Sequence, residues 1–342
     1  MFGKCWRATR VDQAVVMESV GMSDERSEFA KAVQQGLAKK SGKSLPCKFI
    51  YDAQGSKIFE EISTISDYYP TQAELSIIAD RSEEIAALCG PRVSVVELGS
   101  GSSTKTRAIL DALVKSGADL AYFPIDISAA ALQTATAALK KDYPQLKLRP
   151  IEDEYERALP KVDGQDYDTN LVLWLGTSIG NLEPDEAEAL LRLIHRTFAS
   201  KGVIIVGADL KKDRGVLERA YNDPGGVTAR FNLNLLQRIN REFGGHFDLS
   251  AFEHLAFYNE DAGRIEMHIL SRRAQTVPID MLGISVDFAQ GETIHTENSY
   301  KFSKDDIDKL ADRSGFRLDR HWRDGRGLYS VNVLGANGPR HR

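Results

Sequence analysis

Cysteine is scarce in this sequence. Its 342 residues include three, Cys5, Cys47 and Cys89, far apart and odd in number. Without a CxxC pair or a Cys/His cluster, a disulfide framework and a structural zinc are poor explanations for stability. The seven histidines contain no HExxH, and no run of about 18 apolar residues exists to span a membrane. Residues 1–21 carry Lys4, Arg7 and Arg10, but the apolar stretch Ala14-Val15-Val16-Met17 is too short for a signal-peptide core. The expected setting is reducing cytoplasm, with Met22 an alternative start to Met1. There is no dense Lys/Arg block: 44 basic against 49 acidic residues leave a net charge of -5. A generic nucleic-acid binder needs a basic face, so that class is set aside. Internal repeats and low-complexity tracts are absent too.

What remains is an ordinary globular composition, 42% hydrophobic and 27% charged. At about 150 residues per domain, the length fits two domains or one large one. Residues 23–42 read as a helix capped by Ser23, and 71–88 as another, with Thr71 and Glu74 forming a capping box. After Pro91 the pattern changes. Short apolar runs at 93–98, 121–127, 146–151, 170–175 and 202–208 alternate with helical stretches at 104–117, 129–143 (capped by Ser128) and 184–200. Such runs predict a parallel sheet buried on both faces, a doubly wound α/β domain. Residues 212–300 break the alternation. They hold a helix at 227–243, strands at 255–258 and 264–270 joined by a polar turn, and an alternating piece at 284–302. A helix at 304–314, with Gly315 as its C-cap, and two late strands close the chain. The expected division is 1–75 with 212–300 as a second, α+β domain. Residues 76–211 form the sheet domain, to which 301–342 return.

Glu97-Leu98-Gly99-Ser100-Gly101 lies where the first strand hands over to its helix. Two glycines allow a sharp turn and a close approach of backbone to ligand. A dinucleotide loop wants a third glycine at 104, which is Thr, so an NAD-dependent oxidoreductase is disfavoured. The pattern fits the E/D-x-G-x-G loop of S-adenosylmethionine methyltransferases. Asp126 ends the second strand, where a carboxylate takes both hydroxyls of a ribose. At the third strand–helix junction, Asp153 or Glu154, with Tyr155, falls where an adenine would lie. Taken alone, a GxG turn also forms for packing, and Lys105 reads equally as a solvated lysine or as a cation for the cofactor's carboxylate.

The segments YDAQGSKIFE (51–60) and DYYPTQAE (67–74) resemble the YDxxGSxLFE…YYPTRxE signature of the histidine-specific methyltransferases. ELGSGSSTKTR (97–107), WLGTSIGNLEPDEA (174–187), YNDPGGVTARFNLN (221–234), RIEMHI (264–269) and FAQGETIHTENSYKF (288–302) resemble further blocks of that family, in order, from about residue 25 to the C-terminus. The resemblance implies a Rossmann-like S-adenosylmethionine-dependent domain with a second, α+β substrate-binding domain. The activity it implies is trimethylation of the α-amino group of L-histidine to hercynine, on the way to ergothioneine. No metal is implied, and a monomer working on a small molecule is the expected form.

The resemblance also assigns residues. Gly99, Gly101, Lys105 and Asp126 match the cofactor contacts. Glu154-Tyr155 stands where the family has an Asp-Phe pair against the adenine, a departure that leaves Asp153 as the alternative acid. Asn181, with Gly176 and Ser178, Tyr221 and Tyr68 match residues that hold the amino acid. Tyr51 and Phe59 match aromatics near its ammonium, with Asn181, Tyr221 and Tyr51 the catalytic candidates. Glu297 and Ser299 match the acid and hydroxyl that bind the imidazole, and Met267 lines that pocket. Three of these have a plainer reading. YYPT forms a turn before a helix, Met267 is core, and Glu297 with Lys301 is a surface ion pair. His254, His268 and His295 lack ligand spacing and read as structural. Two other functions compete: methylation of another aromatic amino acid such as tryptophan, and a non-catalytic binding protein that keeps the fold. The acidic Glu297 favours imidazole over indole.

Overall fold

The computed structural model describes residues 24–198 and 201–336. Ser23, Cys5 and the alternative start Met22 lie outside the described residues. Among the described residues no helix is long and apolar enough to cross a membrane.

Helix α1 (Asp24–Leu37) is shorter than its sequence pattern, because the polar run after it ends in Gly42 at φ +67° and turns into strand β1 (Lys43–Ser44). Helix α2 (Ala53–Thr64) starts at Asp52, whose side chain accepts from Gly55 N at 2.7 Å. Helix α3 (Tyr69–Ala86) begins two residues before the expected cap. Thr71 and Glu74 form no capping box, since Glu74 is fully buried and its carboxylate is used elsewhere. This helix also runs through the expected 75/76 boundary. Tyr69 belongs to one hydrophobic core and Ala73, Ile77 and Ile78 to another.

Strands β2 (Arg92–Leu98), β3 (Asp119–Asp126), β4 (Lys147–Leu148), β5 (Ile151–Glu152), β6 (Thr169–Trp174) and β7 (Gly202–Asp209) alternate with helices α4 (Arg107–Lys115), α5 (Ala129–Asp142), α6 (Tyr155–Ala158) and α7 (Pro184–Phe198). The third expected strand is two short pieces on either side of Pro150, which has no N–H to give a ladder. Helix α4 starts three residues late because Ser103 sits at φ +53°. Ser128 caps α5 by accepting from Ala131 N.

Helices α8 (Arg214–Tyr221) and α9 (Val227–Phe243) lead into a second sheet. Its strands are β1, β8 (Phe252–Asn259), β9 (Arg264–Ser271) and β12 (Thr293–Tyr300). Between them β10 (Gln275–Ile279) and β11 (Ile284–Phe288) form a hairpin of their own. The alternating 284–302 segment is thus two strands in two sheets. Helix α10 (Lys304–Arg313) and the hairpin of β13 (Phe316–Arg323) and β14 (Tyr329–Ala336) return to the first sheet.

The large sheet has the order β13-β14-β7-β6-β2-β3-β4, with β5 also on β3. Pairings from β4 through β7 are parallel, and β14 is antiparallel to β7. Val93 and Val95 face one core and Val96 and Leu98 the other, so both faces are buried. The small sheet has the order β1-β12-β9-β8. Its core joins Phe29, Phe49 and Ile58 from the N-terminal segment to Leu235, Phe243, Met267 and Ile294.

Candidate active site

At the carboxyl ends of β2 and β3 the glycine loop folds back on the sheet. Gly99 and Gly101 adopt φ +69° and +49°, values that a side chain would strain. Gly99 N and Ser100 N both donate to Ile125 O, at 2.9 and 3.1 Å. Asp126 accepts from Gly101 N and Ser128 N, both at 2.9 Å, and burial raises its pKa. The Tyr155 hydroxyl would stand 2.7 Å from a Cβ on Gly99, whereas nothing lies within 4 Å of one on Gly101. Open backbone, a carboxylate at the strand end and a neighbouring phenol suit a nucleoside with a charged tail. These residues fit S-adenosylmethionine. Glu97 faces inward instead. It accepts from Thr106 Oγ1 at 2.6 Å and from the Tyr122 hydroxyl, and burial pushes its pKa up to about 7.

The acids offered for the adenine have other partners. Glu154 pairs with Lys48 at 2.5 Å and Arg157 at 3.1 Å. Asp153 pairs with Arg157 and Lys161, which hold its pKa down to about 2. Lys105 is not a freely solvated lysine: its Nζ lies 2.7 Å from Glu74 Oε2. Glu74 also accepts from Gly176 N at 2.8 Å and from the Tyr329 hydroxyl at 2.9 Å. One buried carboxylate therefore ties the loop ahead of α4 to the turn after β6. In the sequence Glu74 stands three residues after Thr71, where a cap would explain it, and nothing local marks these distant partners.

The short helical turn that follows, Ser178–Asn181, packs on β12. A Cβ on Gly180 would stand 2.8 Å from Tyr300 O. The Asn181 side chain is half-buried and has no hydrogen-bond partner among the described residues. Thr177 beside it meets the Tyr68 hydroxyl at 3.3 Å. From Tyr68 an aromatic wall extends in two directions, to Tyr221 with centroids 6.0 Å apart and to Phe59 at 6.2 Å. Tyr51 meets Phe59 at 5.6 Å, and Phe231 of α9 touches both. Phe231 went unnoticed in the sequence, although it lies in the YNDPGGVTARFNLN block. Burial lifts the Tyr51, Tyr68 and Tyr221 hydroxyls well above their usual pKa, so they stay neutral at physiological pH.

Tyr221 ends α8 and is fixed from behind. Asn232 donates to His254 Nδ1 at 2.9 Å, which leaves Nε2–H to donate to Tyr221 O at 2.8 Å. Its hydroxyl lies 2.7 Å from Ser299 Oγ. Lys301 donates to Tyr221 Oη at 3.0 Å and Ser299 Oγ at 2.8 Å, and pairs with Asp209 Oδ2 at 2.9 Å. With Lys301 donating to both oxygens, one of the two hydroxyl protons closes the mutual bond and the other serves a partner beyond the pair.

Glu297 lies opposite Met267 across the β9–β12 ladder. It is 7% exposed and Lys301 2%, so the pair is not on the surface. Its Oε2 is buried without a partner, and burial, opposed by Lys301, pushes its pKa up to about 7. A strand bulge between His295 and Glu297 aims this acid inward. The chain matches the family model of SAM-dependent histidine-specific methyltransferases over residues 29–336. It belongs to that family. A histidine N-alpha-methyltransferase of Mycolicibacterium smegmatis is 40% identical over 85% of this chain and 90% of its own. Another from Mycobacterium tuberculosis is 37% identical over 88% and 92%. Ergothioneine biosynthesis protein 1 of Schizosaccharomyces pombe is 29% identical over 85% of this chain and 38% of its own length.

Proposed function

We propose that the protein transfers methyl groups from S-adenosylmethionine to the α-amino nitrogen of L-histidine, three in succession, giving hercynine. Family membership supports the reaction class. The observation that carries the substrate is Glu297, a buried acid with an unpaired oxygen beside Met267 and Ser299. An apolar side chain would leave that oxygen unpaired in a desolvated pocket, at a cost of about 1–3 kcal/mol, whereas an imidazole N–H satisfies it.

S-adenosylmethionine, when bound, supplies an electrophilic methyl carbon on a positively charged sulfur. Gly99, Gly101, Asp126 and Tyr155 hold its nucleoside, and Lys105 faces its carboxylate. Asn181 offers donor and acceptor without charge, and with Tyr68 and Tyr221 it orients the amino acid. The reacting amine must be neutral. With a pKa of about 9 only about 1% is so at pH 7, a cost of about 3 kcal/mol. The neutral phenols of Tyr51, Tyr68 and Tyr221 accept no full proton, so each departing proton passes to solvent along hydroxyls. Tyr51, Phe59 and Tyr68 surround an ammonium that grows with each methyl, as aromatic faces favour cations. Alignment of amine and methyl supplies most of the acceleration.

In this reading the large sheet with its helices, together with α10, β13 and β14, forms the cofactor domain, α1 and α2 with residues 212–300 form the substrate domain, and α3 contributes to both cores. The enzyme is a cytoplasmic monomer using neither nucleic acid nor a membrane. Mass spectrometry of histidine incubated with enzyme and cofactor tests it, with tryptophan alongside. Histidine should gain three methyl groups; a methylated tryptophan with unchanged histidine would reverse the substrate assignment.

A further inference from the structure

The reverse face of the small sheet carries a second group of reactive side chains. Along β9, Ile265, Met267 and Ile269 point into the core, and Glu266 and His268 alternate with them on the other face. His295 of β12 stands directly opposite His268. Sequence spacing gave these histidines no ligand pattern, because the two come from strands 27 positions apart and meet only through the antiparallel register. One donor atom each from Glu266, His268 and His295 lies within 4.8 Å of the others.

The geometry points to a zinc site formed by Glu266, His268 and His295. His268 Nε2 is 3.2 Å from Glu266 Oε2. That is close to the edge of a tetrahedron with zinc bonds of about 2.0–2.1 Å, roughly 3.3 Å. The imidazole of His295 is set by its neighbours. Asn298 Nδ2 donates to Glu183 Oε1 at 2.8 Å, so Asn298 Oδ1 accepts from His295 Nε2–H, also at 2.8 Å. His295 Nδ1 therefore carries a free lone pair, the arrangement in which a hydrogen-bonded imidazole serves as a metal ligand. His268 Nε2–H donates to Glu266 Oε2, and its Nδ1 has no partner, so on metal binding the ring proton can move to Nδ1 and leave the Nε2 lone pair for the ion. The other oxygen of Glu266 is held by Arg264 at 2.8 Å and Asn259 at 3.0 Å, which orients the carboxylate. The rings of His268 and His295 are 4.9 Å apart, and Phe257 stacks on His268 at 5.3 Å.

A cleft of about 530 Å³, lined by Gly42, Lys43, Glu292 and the three candidate ligands among others, opens over the group and gives an ion a way in. The nearby Lys43 is already paired with Glu292. Two imidazoles, one carboxylate and an open fourth position suit Zn²⁺. Such an ion clamps β9 to β12 on the face opposite Met267 and Glu297, and takes no part in methyl transfer.

Zinc chloride titrated into chelator-treated protein, with a chromogenic chelator as competitor, tests the site. The expected result is one Zn²⁺ per chain and a rise in melting temperature on binding. His268→Ala and His295→Ala should each weaken binding at least tenfold and abolish that rise. His246→Ala, at an exposed histidine on another part of the surface, should leave affinity unchanged. Glu266→Gln keeps the side-chain volume and should also lose about tenfold, so a fold-breaking change at Glu266 is not needed. Co²⁺ should give visible bands of a four- or five-coordinate ion in wild type that vanish in folded His268→Ala. No stoichiometric binding, or binding that survives both histidine variants, overturns the proposal.

Discussion

Replacing Glu297 by Gln isolates the charge that the substrate assignment depends on. The acid has a pKa of about 7 where it lies, raised from 4.5 by burial. Only about a tenth is ionised at pH 6, and about nine-tenths at pH 8. If the ionised oxygen accepts the N–H of a neutral imidazole, wild-type affinity for histidine carries that titration and Glu297→Gln does not. Histidine's own ring titrates near 6.5 in both proteins, so the ratio of the two affinities removes it. Calorimetry with S-adenosylhomocysteine present should show this ratio rising about tenfold between pH 6 and pH 8. At pH 8 the wild type should lead by roughly 1–2 kcal/mol, the difference between a charged and a neutral hydrogen bond. A ratio that is flat, or that falls with pH, refutes the reasoning.

The same substitution changes stability in the opposite sense. A carboxyl whose folded pKa is raised stabilises the fold below its unfolded value and loses that contribution as pH climbs through about 7. Without substrate, Glu297→Gln should therefore melt higher than wild type at pH 8, by up to about 3 kcal/mol of stability, and show little difference at pH 4; calorimetric melting across that range checks it. Asp126→Ala should weaken S-adenosylhomocysteine binding at least tenfold, since Gly101 N and Ser128 N lose their acceptor together with the ribose. Lys301→Met leaves Asp209, Tyr221 and Ser299 short of a buried donor and should cost about 3 kcal/mol in denaturant unfolding. Glu74→Ala should raise the KM for S-adenosylmethionine severalfold in steady-state assays by releasing Lys105 and Gly176 together.

Local chemistry wrote much of this protein directly into its sequence. Short apolar strands alternating with helices can bury both faces only as a parallel sheet, so the large sheet was legible, as was the glycine turn with Asp126 one strand away. Helix α9 was readable end to end because its apolar period continues until Gly244 turns left-handed. Arrangements that depend on which distant segments meet were not. Glu74 resembled a capping residue because a cap is decided within three positions, whereas its real partners lie 102 and 255 positions away. Lys301 resembled a surface partner because spacing cannot report burial. In an unbroken strand His295 and Glu297 would point the same way, since side chains alternate with a period of two. The bulge at Thr296, whose hydroxyl bonds Asn232 Oδ1 at 2.7 Å and Met267 O at 3.0 Å, breaks that parity. It sends Glu297 to Met267 and leaves His295 facing His268 on the far side. Residue types follow from the chain itself; which face each one serves follows from pairing and packing, because those depend on contacts the local sequence does not contain.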